Sequence, residues 1–150
     1  MAQPSPAIAV CAQAAQRKWK VPASVQCAQY GVESGWGAHA PGNNPFGMKP
    51  RKGMNDPQQL LWTTEWSPKT KKYEKVQQPF RTFPSIALAF DAHAQLIATA
   101  PVYAQAMAAL PDVDRFIDLM AAHYATDPLY ANKIKSIIAS NNLHKLDVTA

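Results

Sequence analysis

Between residues 38 and 57 the chain carries Pro41, Gly42, Pro45, Gly47, Pro50, Gly53 and Pro57. That density of ring-locked φ angles and residues without side chains prevents regular structure, so the segment must be a loop. It divides the chain into helical patterns before it and a different periodicity after it. A loop this long inside a compact domain is usually functional.

Ahead of the loop, Ser5-Pro6 forms an N-cap and first turn, and Ile8, Cys11, Ala12, Ala15 and Trp19 recur at helical spacing, predicting a helix to about Lys18. Pro22 and Ser24 restart a second helix with Val25, Ala28 and Val32 on its stripe, and Gly35 ends it. Behind the loop, Leu60 to Trp66 and Tyr73 to Phe80 are rich in β-formers and flank the polar connection Ser67 to Lys72, predicting a hairpin. Alternation puts Leu61, Thr63 and Glu65 on one side and Leu60, Trp62, Thr64 and Trp66 on the other.

The remainder reads as helix. Ser85 caps a segment carrying Ile86, Phe90, His93 and Ile97, and a shorter helix spans Val102 to Ala109. Asp112 or Asp114 then starts Phe116, Ile117, Met120, Ala121 and Tyr124. Asp127-Pro128 opens a last helix through Tyr130, Ile134, Ile137 and Ile138. Residues 1–4 and 143–150 are expected to be loosely ordered tails. The 150 residues suit one domain, α+β but mostly α, with a small β-hairpin lobe.

With 47% hydrophobic and 17% charged residues the chain is globular rather than disordered. Its apolar runs are too short for a transmembrane span, and a monomer is expected. No basic residue precedes the short apolar patch after Met1-Ala2-Gln3, so no signal peptide is expected and synthesis in the cytoplasm is. A net charge of +5 favours polyanionic partners. His39, His93, His123 and His144 lack paired ligand spacing, and no nucleophile elbow or phosphate loop is present, so neither metal nor cofactor is expected. Cys11 and Cys27 fall in the first two helices, either as a disulfide or as two small buried thiols.

The stretch Gln29-Tyr30-Gly31-Val32-Glu33-Ser34-Gly35-Trp36-Gly37 places an acid where a helix runs out into glycines and a tryptophan. The negative end of the helix dipole and the water-excluding indole both favour the protonated carboxyl, which suits a general acid near neutral pH. The plainer reading is a solvated Glu before a Gly cap. Gln29 lies four residues earlier on the same helical face, where a surface residue and a ligand contact are the alternatives.

This stretch resembles the catalytic motif of the peptidoglycan-cleaving N-acetylglucosaminidases, glycoside hydrolase family 73. The resemblance continues through Asn43-Asn44-Pro45-Phe46-Gly47-Met48-Lys49, Thr63-Thr64-Glu65-Trp66, Phe80-Arg81-Thr82-Phe83-Pro84-Ser85, and Tyr124-Ala125-Thr126-Asp127-Pro128-Leu129-Tyr130. Five blocks in the family's order cover most of the chain. The resemblance implies a lysozyme-like fold, with endo-type cleavage of the β-1,4 bond between N-acetylglucosamine and N-acetylmuramic acid.

In those terms Glu33 is the acid and Tyr124 orients the substrate or its acetamido group. Glu65 is the second acid, with Glu74 as competitor should the register slip by one. The second role is open between a general base holding water, a nucleophile, and the substrate's own acetamido oxygen assisted by Glu65. Gln29, Asn44, Phe46, Trp66 and Tyr130 are candidate substrate contacts. Against that, the Asn side chains can simply close turns, Phe46 can fill the core, and Tyr130 can be structural.

The partner implied is the peptidoglycan glycan strand, cut in the periplasm or cell wall. The delivery contexts are an antibacterial effector of a type VI-like system, which adds a cognate immunity protein over the groove, and a phage endolysin. No specific nucleic acid is expected. An alternative without catalysis uses Lys69, Lys71, Lys72 and Lys75 beside Trp62, Trp66 and Tyr73 as a basic, aromatic hairpin that binds cell wall or nucleic acid.

Overall fold

The computed structural model describes residues 3–149, so the expected tail positions 1, 2 and 150 lie outside the described residues. Helix α1 (Pro6–Trp19) starts where the Ser5 hydroxyl accepts from the Ile8 amide with Pro6 in the first turn, as the capping chemistry dictates. Helix α2 (Ala23–Ser34) is the axis of the molecule: Ala23 through Gly31 are all buried, including the polar Gln26 and Gln29. It stops at Gly35, whose φ of 59° is the left-handed cap that favours glycine.

Four more helices complete the helical lobe. They are α3 (Ile86–Thr99), α4 (Ala104–Ala109, entered through a 3-10 turn at Pro101–Tyr103), α5 (Val113–Tyr124) and α6 (Tyr130–Ser140). Between them Phe90, Ile97, Phe116, Ile117, Met120, Ile134 and Ile138 form the core. Emptying one aromatic position, as in Phe90→Ala, should cost about 3–5 kcal/mol. The Trp19 indole N–H donates to Asp91 Oδ1 at 2.9 Å and ties α1 to α3.

Two expectations are corrected, and one open alternative is decided. The segment after residue 143 is not a loose tail up to residue 148. Leu143 is fully buried in a 3-10 turn, Gln16 holds the Val148 backbone through both of its amide atoms, and Asp147 accepts from the Ser24 amide at 2.7 Å and its hydroxyl at 2.8 Å. Because Pro22 brings no capping side chain, this distant carboxylate supplies the cap of α2, a contact worth about 1 kcal/mol. Asp127 does not start α6 directly: its carboxylate accepts from the Leu129 amide in a side-chain turn, and the helix opens at Tyr130. The cysteines are free thiols, and burial pushes Cys27 up to about 12, which makes it unreactive.

The hairpin pairs β1 (Gln58–Ser67) with β2 (Lys72–Arg81) antiparallel, slightly longer than predicted. Glu65 stands opposite Glu74, so the two acids share a face rather than occupying opposite ones. The proline-rich loop is anchored where β2 ends: Arg81, Thr82 and Phe83 donate their amides to the carbonyls of Met48, Pro57 and Gly42. Gly42 has φ 65°, and a Cβ there would lie 2.5 Å from the Gln59 amide nitrogen, so this crossing requires glycine. Asp56 joins Arg51 and Arg81, and the Arg51 guanidinium holds its carboxyl well below the usual range.

Candidate active site

Glu33 occupies the last turn of α2, where the chain leaves the packed interior. A narrow cleft of about 120 Å³ brings its side chain beside His39, Asn44, Gly47, Gln59, Leu61 and Phe80. A wider one of about 610 Å³ continues past Glu33 and Gly47 to Phe46, His93, Tyr124 and Tyr130. Glu33 and Gly47 line both, so they form one groove that passes over the acid. Glu33 is exposed as a residue, as a group that must meet a ligand has to be. Its carboxyl nonetheless has groove walls around it, and the lost hydration pushes its pKa above the ordinary 4.5 against the opposing hydrogen bond from Tyr130.

The Tyr130 hydroxyl donates to Glu33 Oε1 at 3.1 Å. The Gln29 amide nitrogen donates to the same Tyr130 oxygen at 3.2 Å, and the Gln29 carbonyl oxygen faces His93 Nε2 at 2.8 Å. Phe46 lies flat on His93 with centroids 3.9 Å apart and meets Phe90 edge-on. Tyr124 stacks on Tyr130 at 5.5 Å and presents its edge to His93. Burial pushes the Tyr124 hydroxyl well above its ordinary pKa, and that of Tyr130 rises likewise, so both are neutral donors at any working pH. Burial also drives His93 down to about 3, leaving it a neutral imidazole.

The structure therefore brings Glu33, Tyr124 and Tyr130 together and reassigns three of the expected substrate contacts. Gln29 is fully buried and serves Tyr130, not a ligand. Asn44 spends its amide on Met48 and on the Arg81 carbonyl, closing the loop against the hairpin base. Phe46 is 5% exposed and fills the wall behind His93. Tyr130, the weaker of the two tyrosine candidates in the sequence, is the one bonded to the acid.

Glu65 projects from the same face of β1 as Gln59 and Leu61, which line the narrow cleft. It stands four residues beyond Leu61, about 13 Å further along the strand, and lines neither cleft with Glu33. Gln78 donates to it at 3.3 Å, whereas Glu74 is held by the Thr70 hydroxyl at 2.8 Å, turned toward the hairpin tip. Trp66 points the other way, onto an outer face with Leu60, Trp62 and Tyr73 that is exposed throughout. It is not a wall of the groove over Glu33.

A larger hollow of about 810 Å³ lies between Arg17, Lys20, Leu110, Pro111 and Val148. Among the described residues its one lining carboxylate, Asp147, already binds Ser24 through both oxygens. Among the described residues no group of three or more His, Cys, Asp or Glu could hold a metal ion, and no helix is long and apolar enough to cross a membrane. His93 is the site residue that the sequence did not single out: on the apolar stripe of α3 it reads as core, and only its contact with Gln29 separates it from its neighbours.

The profile of the glucosaminidase family, described as mannosyl-glycoprotein endo-beta-N-acetylglucosaminidase, matches residues 9–143. An autolysin of Enterococcus faecalis is 35% identical over 93% of this chain and 20% of its own length. The peptidoglycan hydrolase FlgJ of Salmonella typhimurium is 32% identical over 85% of this chain and 42% of its own. The chain thus spans less than half the length of these relatives. The catalytic domain of the autolysin Auto from Listeria monocytogenes superposes with a TM-score of 0.80 over 98% of this chain and 91% of that one, at 24% identity, which speaks for the fold. The match across residues 9–143, together with an acid on the terminal turn of the central helix, shows that the chain belongs to the glucosaminidase family of glycoside hydrolases.

Proposed function

We propose that this domain hydrolyses the glycan strand of peptidoglycan at the β-1,4 bond between N-acetylglucosamine and N-acetylmuramic acid, with Glu33 as general acid. The observation that carries the reading is the Glu33 carboxyl itself, set in a groove whose walls raise its pKa while Tyr130 fixes one of its oxygens. A carboxyl whose surroundings favour the protonated form can give its proton to the glycosidic oxygen as the C1–O bond breaks.

The developing oxocarbenium charge then needs a partner. A covalent route through Glu65 requires carboxyls about 5 Å apart, whereas Glu65 lies outside both clefts that Glu33 lines. That arrangement favours attack by the substrate's 2-acetamido oxygen, or by a water that Glu65 deprotonates once the hairpin closes on the glycan. Tyr124, on the wall of the wider cleft, would orient the acetamido group. After the first route, water opens the ring at C1 and returns its proton to the Glu33 carboxylate.

Mass spectrometry of purified peptidoglycan digested by this protein tests the bond assignment. N-acetylglucosamine at the new reducing ends is expected, and N-acetylmuramic acid there would overturn it. Of the two delivery contexts, only the effector implies an immunity protein seated over the groove, and co-purification from the producing cell separates them. The exposed outer face of the hairpin, Leu60, Trp62, Trp66 and Tyr73 beside Lys75, supports a second reading as a wall- or nucleic-acid-binding module. Such a module would keep its whole function in Glu33→Gln.

A further inference from the structure

We propose that His93 is a positioning residue for the acid: by donating from Nε2 to Gln29 it sets the direction of a buried chain of hydrogen bonds whose last donor, the Tyr130 hydroxyl, is aimed at Glu33 Oε1. The inference rests on Glu33 being the acid, and it assigns a role to His93 and Gln29, neither of which is bonded to Glu33 itself.

The polarity of the chain follows from its atoms. Gln29 presents one oxygen and one nitrogen, and the oxygen faces His93 Nε2 at 2.8 Å. Two acceptors cannot face each other in a buried site, so Nε2 must carry the proton. Nδ1 has no hydrogen-bond partner among the described residues; as a bare lone pair it leaves no buried N–H unsatisfied, which favours the same tautomer. The Gln29 nitrogen then lies 3.2 Å from Tyr130 Oη and 3.8 Å from Met120 Sδ. Sulfur is only a weak acceptor, so Met120 opposes the flipped amide, which would turn an oxygen toward it. With a donor already on its oxygen, Tyr130 directs its own proton to Glu33 Oε1 at 3.1 Å, leaving Oε2 to carry the acidic proton.

The ring that starts the chain is held on both sides, Phe46 flat against it at 3.9 Å and Tyr124 edge-on at 5.7 Å. A buried imidazole at this position is kept neutral, so the chain does not reverse across the working pH range. The flipped alternative would have Tyr130 donate to Gln29 and leave Glu33 without this bond.

The test reads Glu33 directly, without substrate. Carbon-13 carboxyl titration by NMR, assigned with Glu33→Gln, is compared in wild type, His93→Phe, which keeps the aromatic stack but removes the donor, and His93→Gln, which restores an N–H. Other titratable or charged groups around the groove are His39, Lys49, Tyr103, Tyr124 and Asp127, and all three proteins share them. Because a donor to the carboxylate lowers its pKa, the Glu33 midpoint should rise by about one pH unit in His93→Phe and return to near wild type in His93→Gln. Equal midpoints in all three folded proteins would overturn the proposal.

Nitrogen-15 shifts of His93 in the wild type give a reading that needs no variant. The Nε2–H tautomer from pH 5 to 8 is expected, and the Nδ1–H tautomer would overturn the chain. If the titrations behave as expected while the protein leaves peptidoglycan intact, the chain of bonds stands and the proposed reaction falls.

Discussion

Around Glu33 the polar neighbours Tyr130, Gln29 and His93 are buried and bonded to one another, with His93 stacked on Phe46 and Tyr130 on Tyr124, whereas Glu65 stands on a two-stranded ribbon whose outer side is open to solvent. The two acids differ in their foundations more than in their chemistry. A proton donor needs its environment fixed beforehand, because a shifted pKa depends on excluded water and on a hydrogen bond of set direction. Packed helices provide both. A ribbon paired only with itself has few partners to fix its tip, which would suit a group that acts after a ligand has entered. Its fixed end is the loop side, where Arg81, Thr82 and Phe83 bond to the loop carbonyls.

The largest effect is expected of Glu33→Gln. Initial rates on purified peptidoglycan should fall by about 10³-fold or more while thermal unfolding stays at least as high as wild type, since a neutral amide is easier to desolvate. Next come the two hairpin acids. Glu65→Gln should lower the rate by about 10²-fold and Glu74→Gln by less than ~2-fold, because Thr70 already holds Glu74 at the tip. Equal losses would show that the shared face, not the individual acid, is what matters.

A third difference is one of stability. His93 is held at about 3, below its ordinary 6.5, so the unfolded chain binds a proton that the folded one refuses. Its contribution is complete above pH 6.5 and is lost as pH falls toward 3, with a slope of up to about 1.4 kcal/mol per pH unit. Denaturant unfolding from pH 7 to 4 should therefore be less steep in pH for His93→Phe than for wild type. The smallest effect belongs to the outer face: Trp66→Ala should change cleavage of short soluble glycan fragments by less than ~3-fold, since Trp66 does not line the groove over Glu33.

Much of this division is visible in the residues alone. Gly35 after a helical stripe fixes where Glu33 emerges, and the alternation from Leu60 to Trp66 correctly separates Glu65 from Trp66. What local pattern does not reveal is which polar side chains face inward to other polar ones. Gln29 is four residues before Glu33, a spacing shared by many surface glutamines, and its burial depends on α3 and α6 arriving from far along the chain. Asp147 capping α2 is hidden for the same reason: a cap supplied across 123 residues leaves no trace near Pro22. Asn44 was legible as a ligand or a turn former, and the hairpin base decides for the turn.

Whether the protonated form of Glu33 is the active form is read by comparing two midpoints in the wild-type protein. One is the alkaline limb of kcat/KM for peptidoglycan fragments, which reports the free enzyme's essential acid; the other is the carboxyl titration of Glu33 by NMR. The two midpoints are expected to coincide and to lie above 4.5. Activity that persists undiminished well above the Glu33 midpoint, or a carboxyl that titrates at or below 4.5, would contradict that expectation.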